Sequence, residues 1–304
     1  MAHKLNIYVS SDSKLSIKNS NLLLQKSDDI INIPIDIISS IVVDSYHSYF
    51  SQNLLSCLSR QGITLIICDE THMPTTLLLP LCTHSVGNLN LRAQLKCKNQ
   101  TKAILWQNIV KAKLNNQANL LDIFGLNSVD VLKNLANKVL LNDKDNKEAY
   151  GARIYFLSTF GDEFARRDGG FINSMLNFGY SLVRSKIART IAAKGLMPQI
   201  GIYHDSFLNN FNLADDMIEP YRPFVDAYLF WYLQNSGEID SEFDSTHKKF
   251  LISIFDKTVL IDNKRFLLDI AIAIEQSIES LLRVFKDKEN TRLLMPILDK
   301  DFLI

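Results

Sequence analysis

LRAQLKCKNQTKAILWQNIVKAKLNNQANLL, residues 91–121, is where the chain changes character. Leu91, Leu95, Ile104, Leu105, Ile109 and Leu114 cluster on one face at helical spacing, so the segment predicts a long amphipathic helix. It carries Arg92, Lys96, Lys98, Lys102, Lys111 and Lys113 and no acid, a net charge of +6. Everything upstream reads as strand with one helix, and everything downstream reads as helix.

Upstream, LNIYVSS (5–11) alternates, and KLSIKNSNLLLQK (14–26) places polar residues between two apolar runs, a hairpin signal. DIINIPIDIISSIVVDS (29–45) is rich in isoleucine and valine, which favour a pleated surface, while Pro34 marks an edge or a turn. SQNLLSCLSRQG (51–62) predicts a short helix capped by Ser51 and ended by Gly62. ITLIICDE (63–70) predicts a buried strand. Turns around Pro74–Pro80, followed by residues 81–90, mark the expected linker. Downstream, helices are predicted at about 129–141, 146–165, 171–194, 216–234, 246–257 and 264–286. The fold class is therefore α+β. A small β-rich unit over 1–80, a candidate for dimerisation, precedes an all-helical catalytic unit over 91–304.

The 304 residues carry 33 bases and 33 acids, a globular composition of two-domain length. No apolar run reaches the roughly 18 residues of a membrane span, and MAHKLNIYVSSDSK lacks a secretory apolar core. A cytoplasmic protein without membrane partners is expected. Cys57, Cys68, Cys82 and Cys97 match no zinc spacing and read as buried free thiols. The neutral total hides segregation: residues 1–90 carry −2, residues 151–198 carry +4, and residues 199–245 carry −8 with Arg222 as the lone base. Basic helices beside one acidic pocket suit a polyanion held together with a metal ion, although solvated helix faces give the same pattern.

Three positions could hold that ion. In LADDMIEPYRPFVD (213–226), Pro220 and Pro223 force a helix start or a first-turn distortion, and Asp216 and Glu219 can share a face. The same spacing is also a capping box, and Arg222 with Asp226 could be an ordinary surface ion pair. His204 leaves an extended connection, MPQIGIYHDS, just before this stretch. Imidazole with carboxylates suits Mn2+ or Mg2+. Glu148 falls in the first turn of a helix, where the dipole favours a carboxylate. It has capping-box spacing with Asp145, and Gly151 and Ala152 leave room for a ligand. Between these, residues 171–194 form a core helix on which Asn173, Asn177 and Tyr180 share part of a face.

The order of KEAYGAR (147–153), INSMLNFGYSLVRS (172–185), GIYH (201–204) and DMIEPYRPFVD (216–226) resembles the CRISPR-associated integrase family, the universal adaptation subunit. The FNLADDMIEPYRPFVD form resembles the version accompanying single-effector (type II) systems. The resemblance implies Glu148, His204 and Glu219 as metal ligands, with Asp216 as their acidic catalytic neighbour. Relatives often carry aspartate where Glu219 stands. It further implies a homodimer assembling with a small ferredoxin-like adaptation subunit, and with other adaptation proteins of the locus. The assembly binds a prespacer duplex and joins its 3′-OH ends to the CRISPR repeat beside the leader, by transesterification. Double-stranded DNA contacts are expected from Arg92, Lys96, Lys102, Lys111, Arg166, Arg167, Arg184, Arg189 and Arg222. Asn173, Asn177 and Tyr180 are expected to support the site. A nuclease that only hydrolyses, or a non-catalytic DNA-binding scaffold, are the alternatives.

Overall fold

The computed structural model describes residues 4–27, 29–80, 86–237, 242–261, 264–286 and 292–303. Cys82 and the first half of the expected 81–90 linker lie outside the described residues. Two sheets make the N-terminal unit. In the first, β1 (Leu5–Val9), β5 (Ile38–Val43) and β7 (Thr64–Cys68) run parallel, with β8 (Pro74–Leu77) antiparallel at the edge. In the second, β2 (Lys14–Lys18), β3 (Asn21–Lys26) and β4 (Asp29–Pro34) form an antiparallel meander, with the short β6 (Tyr49–Phe50) parallel to β2. The Pro74–Pro80 stretch is thus a strand for its first half rather than a linker, because it pairs with β7. α1 (Gln52–Gln61) has the predicted ends: Ser51 Oγ accepts from Leu54 N–H at 3.3 Å, and Gly62 takes φ +78°.

Every residue of β5 is buried, which requires cover on both faces. Ile41, Val43 and Leu65 join a core with Leu54 and Leu58 of α1. Val42 and Ile66 point the other way, into the core of the helical body. The period of two along the strand therefore welds the two units through one sheet. A buried Asp44 adds a polar tie. It accepts from Tyr8 Oη at 2.5 Å and from Lys248 Nζ at 2.7 Å, and contacts His72 Nδ1 at 2.7 Å.

The basic segment of residues 91–121 is not one helix. α2 (Gly87–Leu95) ends at Lys96, and α3 (Asn99–Ile123) restarts after an extended Lys98. α3 is the central pillar, packed against α4 (Val129–Asn137), α5 (Lys147–Phe160) and the 3-10 turn Glu219–Tyr221. α6 (Phe171–Ala193) packs on α7 (Asn212–Ile218), α8 (Arg222–Ser236) and α9 (Ser245–Ile252). Pro220 and Pro223 break α7 from α8 rather than starting a single helix.

The C-terminal unit is not all helical. β9 (Thr258–Ile261) pairs with β10 (Lys264–Asp269) and β11 (Pro296–Ile297), and helix α10 begins only at Ile270, running to Phe285. Among the described residues no helix is long and apolar enough to cross a membrane.

Candidate active site

The acidic residues singled out from the sequence are not surface caps. Glu148 stands in the first turn of α5, whose start is tied by Asp143: its carboxylate accepts from Lys147 N–H at 2.9 Å and Glu148 N–H at 3.0 Å. Asp143, not the expected Asp145, makes these bonds. Glu219 sits at the α7–α8 break, 6% exposed. Both carboxylates accept from one ammonium, Lys113 Nζ of α3, itself 6% exposed. Arg222 Nε donates to the other oxygen of Glu219 at 2.8 Å.

The electrostatics of this cluster are strongly coupled. Burial alone pushes the Glu219 carboxyl up, but Arg222 and Lys113 outweigh it and hold the group down at about 2. Burial works against the Lys113 charge, and Glu219 with Glu148 overrides it, so the ammonium is held above its ordinary range.

His204 is positioned from its backbone outward. The Asp216 carboxylate, fully buried, accepts from the backbone N–H of Ile202 (2.5 Å), Tyr203 (3.2 Å) and His204 (3.0 Å), and contacts His204 Nδ1 at 2.8 Å. Four contacts on one carboxylate fix the loop and leave His204 Nε2 as the ring nitrogen directed away from it. The Asp216 hydrogen bond raises the imidazole above its ordinary 6.5, against the effect of burial. Gly201 allows the close approach: a Cβ there would stand 2.1 Å from His204 O and 2.8 Å from Asp216 Oδ2. Lys102 Nζ donates to Gly201 O at 3.1 Å, and Trp106 stacks on Tyr203 at 4.3 Å and meets the His204 ring edge-on at 5.5 Å. Beyond His204 the loop turns outward, with Phe207 and Leu208 almost wholly exposed.

Of the predicted DNA contacts, three arginines share one cleft. Arg166, Arg184 and Arg222 line it with Asn177, Tyr180 and Asp215. Arg166 donates to Asn173 and, at 2.8 Å, to Asn177 Oδ1; its guanidinium lies 5.4 Å from the Tyr180 ring centre, and Arg222 lies 4.7 Å from the same ring. Arg184 pairs with both oxygens of Asp215, at 2.6 and 3.0 Å. Behind the cleft, Tyr180 and, at 2.8 Å, Tyr155 donate to Asp226, whose carboxyl burial raises to about 6. Asp226 is thus a buried acceptor, not the surface partner of Arg222.

Arg92, Lys96 and Arg167 are exposed and Lys111 half-buried, outside this cleft. Lys102 is engaged with Gly201. Arg189 is 2% exposed, with Nη2 donating to Ser59 O at 3.0 Å, so it lies at the junction of the two units and not on an outer face. The room left by Gly151 is filled by the α3–α5 contact: a Cβ there would stand 2.2 Å from Leu114 Cδ2.

The three expected metal ligands do not form a closed set as placed; among the described residues no group of three or more His, Cys, Asp or Glu side chains is arranged to hold a metal ion. Two of them, Glu148 and Glu219, nevertheless share a single cation position, taken by the Lys113 ammonium. Two carboxylates at that position, with the His204 imidazole near enough to feel the Glu219 charge, are donor types that suit a hard divalent ion. Lys113 and Trp106 were not singled out from the sequence. The available signal is a lysine four residues after Ile109, on the face of α3 that carries the buried Trp106, Ile109 and Gln117.

The chain thus joins a strand-rich unit to a helical body on an α+β scaffold, with two carboxylates distant in sequence meeting at one ammonium and three arginines lining a cleft nearby. The profile described as "CRISPR associated protein Cas1" matches residues 7–154 and 163–262. The chain is 32% identical over 292 residues to the CRISPR-associated endonuclease Cas1 of Neisseria meningitidis serogroup C (strain 8013), covering 96% of this chain and 95% of that protein. Among solved structures it superposes on a casposase bound to integration product, with TM-score 0.77 at 17% identity over 95% of this chain and 92% of that one. It also superposes on a chain of a Cas6-RT-Cas1–Cas2 complex, with TM-score 0.69 at 18% identity, covering 94% of this chain and 35% of that one. The chain belongs to the Cas1 family.

Proposed function

We propose that this chain is a metal-dependent DNA integrase of CRISPR adaptation, which joins the 3′-OH ends of a short duplex to the repeat by transesterification. The observation that carries this reading is the shared cation position. Glu148 and Glu219 come from segments 71 residues apart in sequence and meet at one positive charge, with His204 within reach of the Glu219 charge and Arg222 of the arginine cleft bonded to Glu219. A buried carboxylate and a partly buried one converging on one position suit a site built around a cation.

Glu148, Glu219 and His204 Nε2 would hold Mg2+ or Mn2+, with Lys113 displaced from between the carboxylates. The ion would supply charge stabilisation at the phosphoryl group and at the departing oxygen. The remaining steps belong to the chain. Asp216 holds the imidazole through Nδ1, which leaves Nε2 as the nitrogen that would bind the ion. Arg222 keeps Glu219 ionised. Arg166 and Arg184 provide cationic faces for the phosphates flanking the scissile one, and Asn177 locks the Arg166 fork. In the reaction the incoming 3′-oxygen bonds to phosphorus, the resident 3′-oxygen leaves with the bonding pair, and the proton of the attacking hydroxyl passes to solvent.

The family membership, the casposase neighbour and the Cas2-containing neighbour support DNA as substrate and assembly with a small ferredoxin-like adaptation subunit. Exposed Ile30 and Ile31 on β4 and Tyr49 on β6 support a homodimer through the N-terminal sheet. Strand joining by purified protein with its partner subunit and Mn2+ or Mg2+ tests the reading. Glu148→Ala, His204→Ala and Glu219→Ala should each abolish joining. Wild-type joining by any of the three, or hydrolysis without rejoining of a branched substrate, overturns it.

A further inference from the structure

A charged cavity that shares no residue with the site just described lies at the seam between the N-terminal sheet and the helical body. It has a volume of about 580 Å³ and is lined by Lys4, Lys186, Arg189 and Lys194 against Asp269 and Glu275. This is the size of a small-molecule pocket. Its cations are poorly compensated. Lys186 is 5% exposed, and its partner Glu275 is 3.4 Å away and half exposed to solvent. Arg189, 2% exposed, has Nε without any hydrogen-bond partner. Lys194 leans outward to Glu279 at 3.7 Å. Burial depresses the Lys186 ammonium, with Glu275 only partly restoring it, and burial likewise depresses Arg189.

An unpaired, buried guanidinium nitrogen beside an under-paired ammonium costs stability, and such a cost is retained where a ligand offsets it. The rest of the lining narrows the ligand. Ile38, Phe255 and Ile272 give an apolar wall, while Gln61 and Ser39 add neutral polar groups. We infer that this cavity binds a phosphate monoester carrying a flat organic group, either a free nucleoside monophosphate or the 5′-phosphorylated end of a strand. The phosphate dianion fits between Lys186 and Arg189 Nε, and the base lies along the apolar wall. A duplex does not fit the volume.

The probes are adenosine 5′-monophosphate and a tetranucleotide with and without a 5′ phosphate, titrated calorimetrically at constant ionic strength. The expected result is submillimolar binding to the wild type, weakened at least about tenfold in Lys186→Met, whose side chain conserves volume and removes the charge. Lys186→Met should also be no less stable than the wild type without ligand. Should that variant fail to fold, Glu275→Gln serves, because it is half exposed and frees Lys186 from its competitor; it should bind about threefold or more tightly. Response to the mononucleotide assigns the free ligand. Response to the phosphorylated but not the unphosphorylated tetranucleotide, lost with Lys186→Met, assigns the strand end. No binding of either probe, or affinities unchanged by both substitutions, overturns the inference.

Discussion

Replacing Lys113 with methionine removes the one cation shared by Glu148 and Glu219 while conserving apolar volume. The Lys113 side chain is 7% exposed, against 8% for Glu219 and 28% for Glu148, so the carboxylates gain little water in return. Removing one partner of a buried charge set costs about 3–5 kcal/mol. A second route gives a similar size. Holding Glu219 at about 2 rather than its ordinary 4.5 corresponds to about 3 kcal/mol. Arg222 supplies part of that and remains in the variant, so the net expectation is about 2–4 kcal/mol, a drop in Tm of about 3–6 °C for a chain of this size. The sign with pH follows from a depressed carboxyl: its stabilisation is present above 4.5 and fades as pH falls towards 2. Thermal unfolding in chelator should therefore separate wild type and variant at pH 7.5 and bring them together on acidification. Adding Mn2+ should raise the Tm of Lys113→Met more than that of the wild type, because the ion no longer competes with an ammonium. Equal melting at pH 7.5, or a gap that survives acidification, would refute the cation-sharing geometry.

Gly201→Ala puts a Cβ 2.1 Å from the backbone His204 O, so the loop must shift and strand joining should fall by about a hundredfold or more; unchanged joining would show that the loop has slack. For Asp226, burial raises the carboxyl from 3.8 to about 6, so the folded state gains stability as pH falls from 6 towards 3.8; Asp226→Asn should lose that rise in a Tm–pH series. Arg166→Ala should weaken duplex binding by about tenfold and lower the salt slope by about 1, read from fluorescence anisotropy between 50 and 200 mM salt.

Local chemistry was the legible part of the fold. Ser51 and Gly62 fixed α1 because a cap and a left-handed stop need only their immediate neighbours. The α2–α3 break at Lys96–Lys98 had no glycine or proline to mark it. The apolar run of β10 continues into IAIAIEQ and so reads as helix, and only pairing with β9 makes it a strand. In the site, Glu148, His204 and Glu219 were visible through the family resemblance, and the structure brings two of them to one cation. Lys113 was hidden among the surface bases of residues 91–121, because a charge sum does not distinguish the inner face of a helix from the outer. Arg189 reads as a surface base for a related reason: its burial comes from packing against Gly62 and Ser59, over 120 residues away.

The tie between Asp44 and Lys248 spans 204 residues. On the ribosome the first sheet therefore emerges long before its ammonium counterpart is synthesised, and Asp44 stays hydrated in the meantime. The parallel strands can pair early, but the face carrying Val42 and Ile66 stays uncovered until the later helices close over it. Lys248 is thus the last partner that Asp44 acquires, and a fragment ending before α9 should leave that carboxylate beside Tyr8 and His72 without its cation.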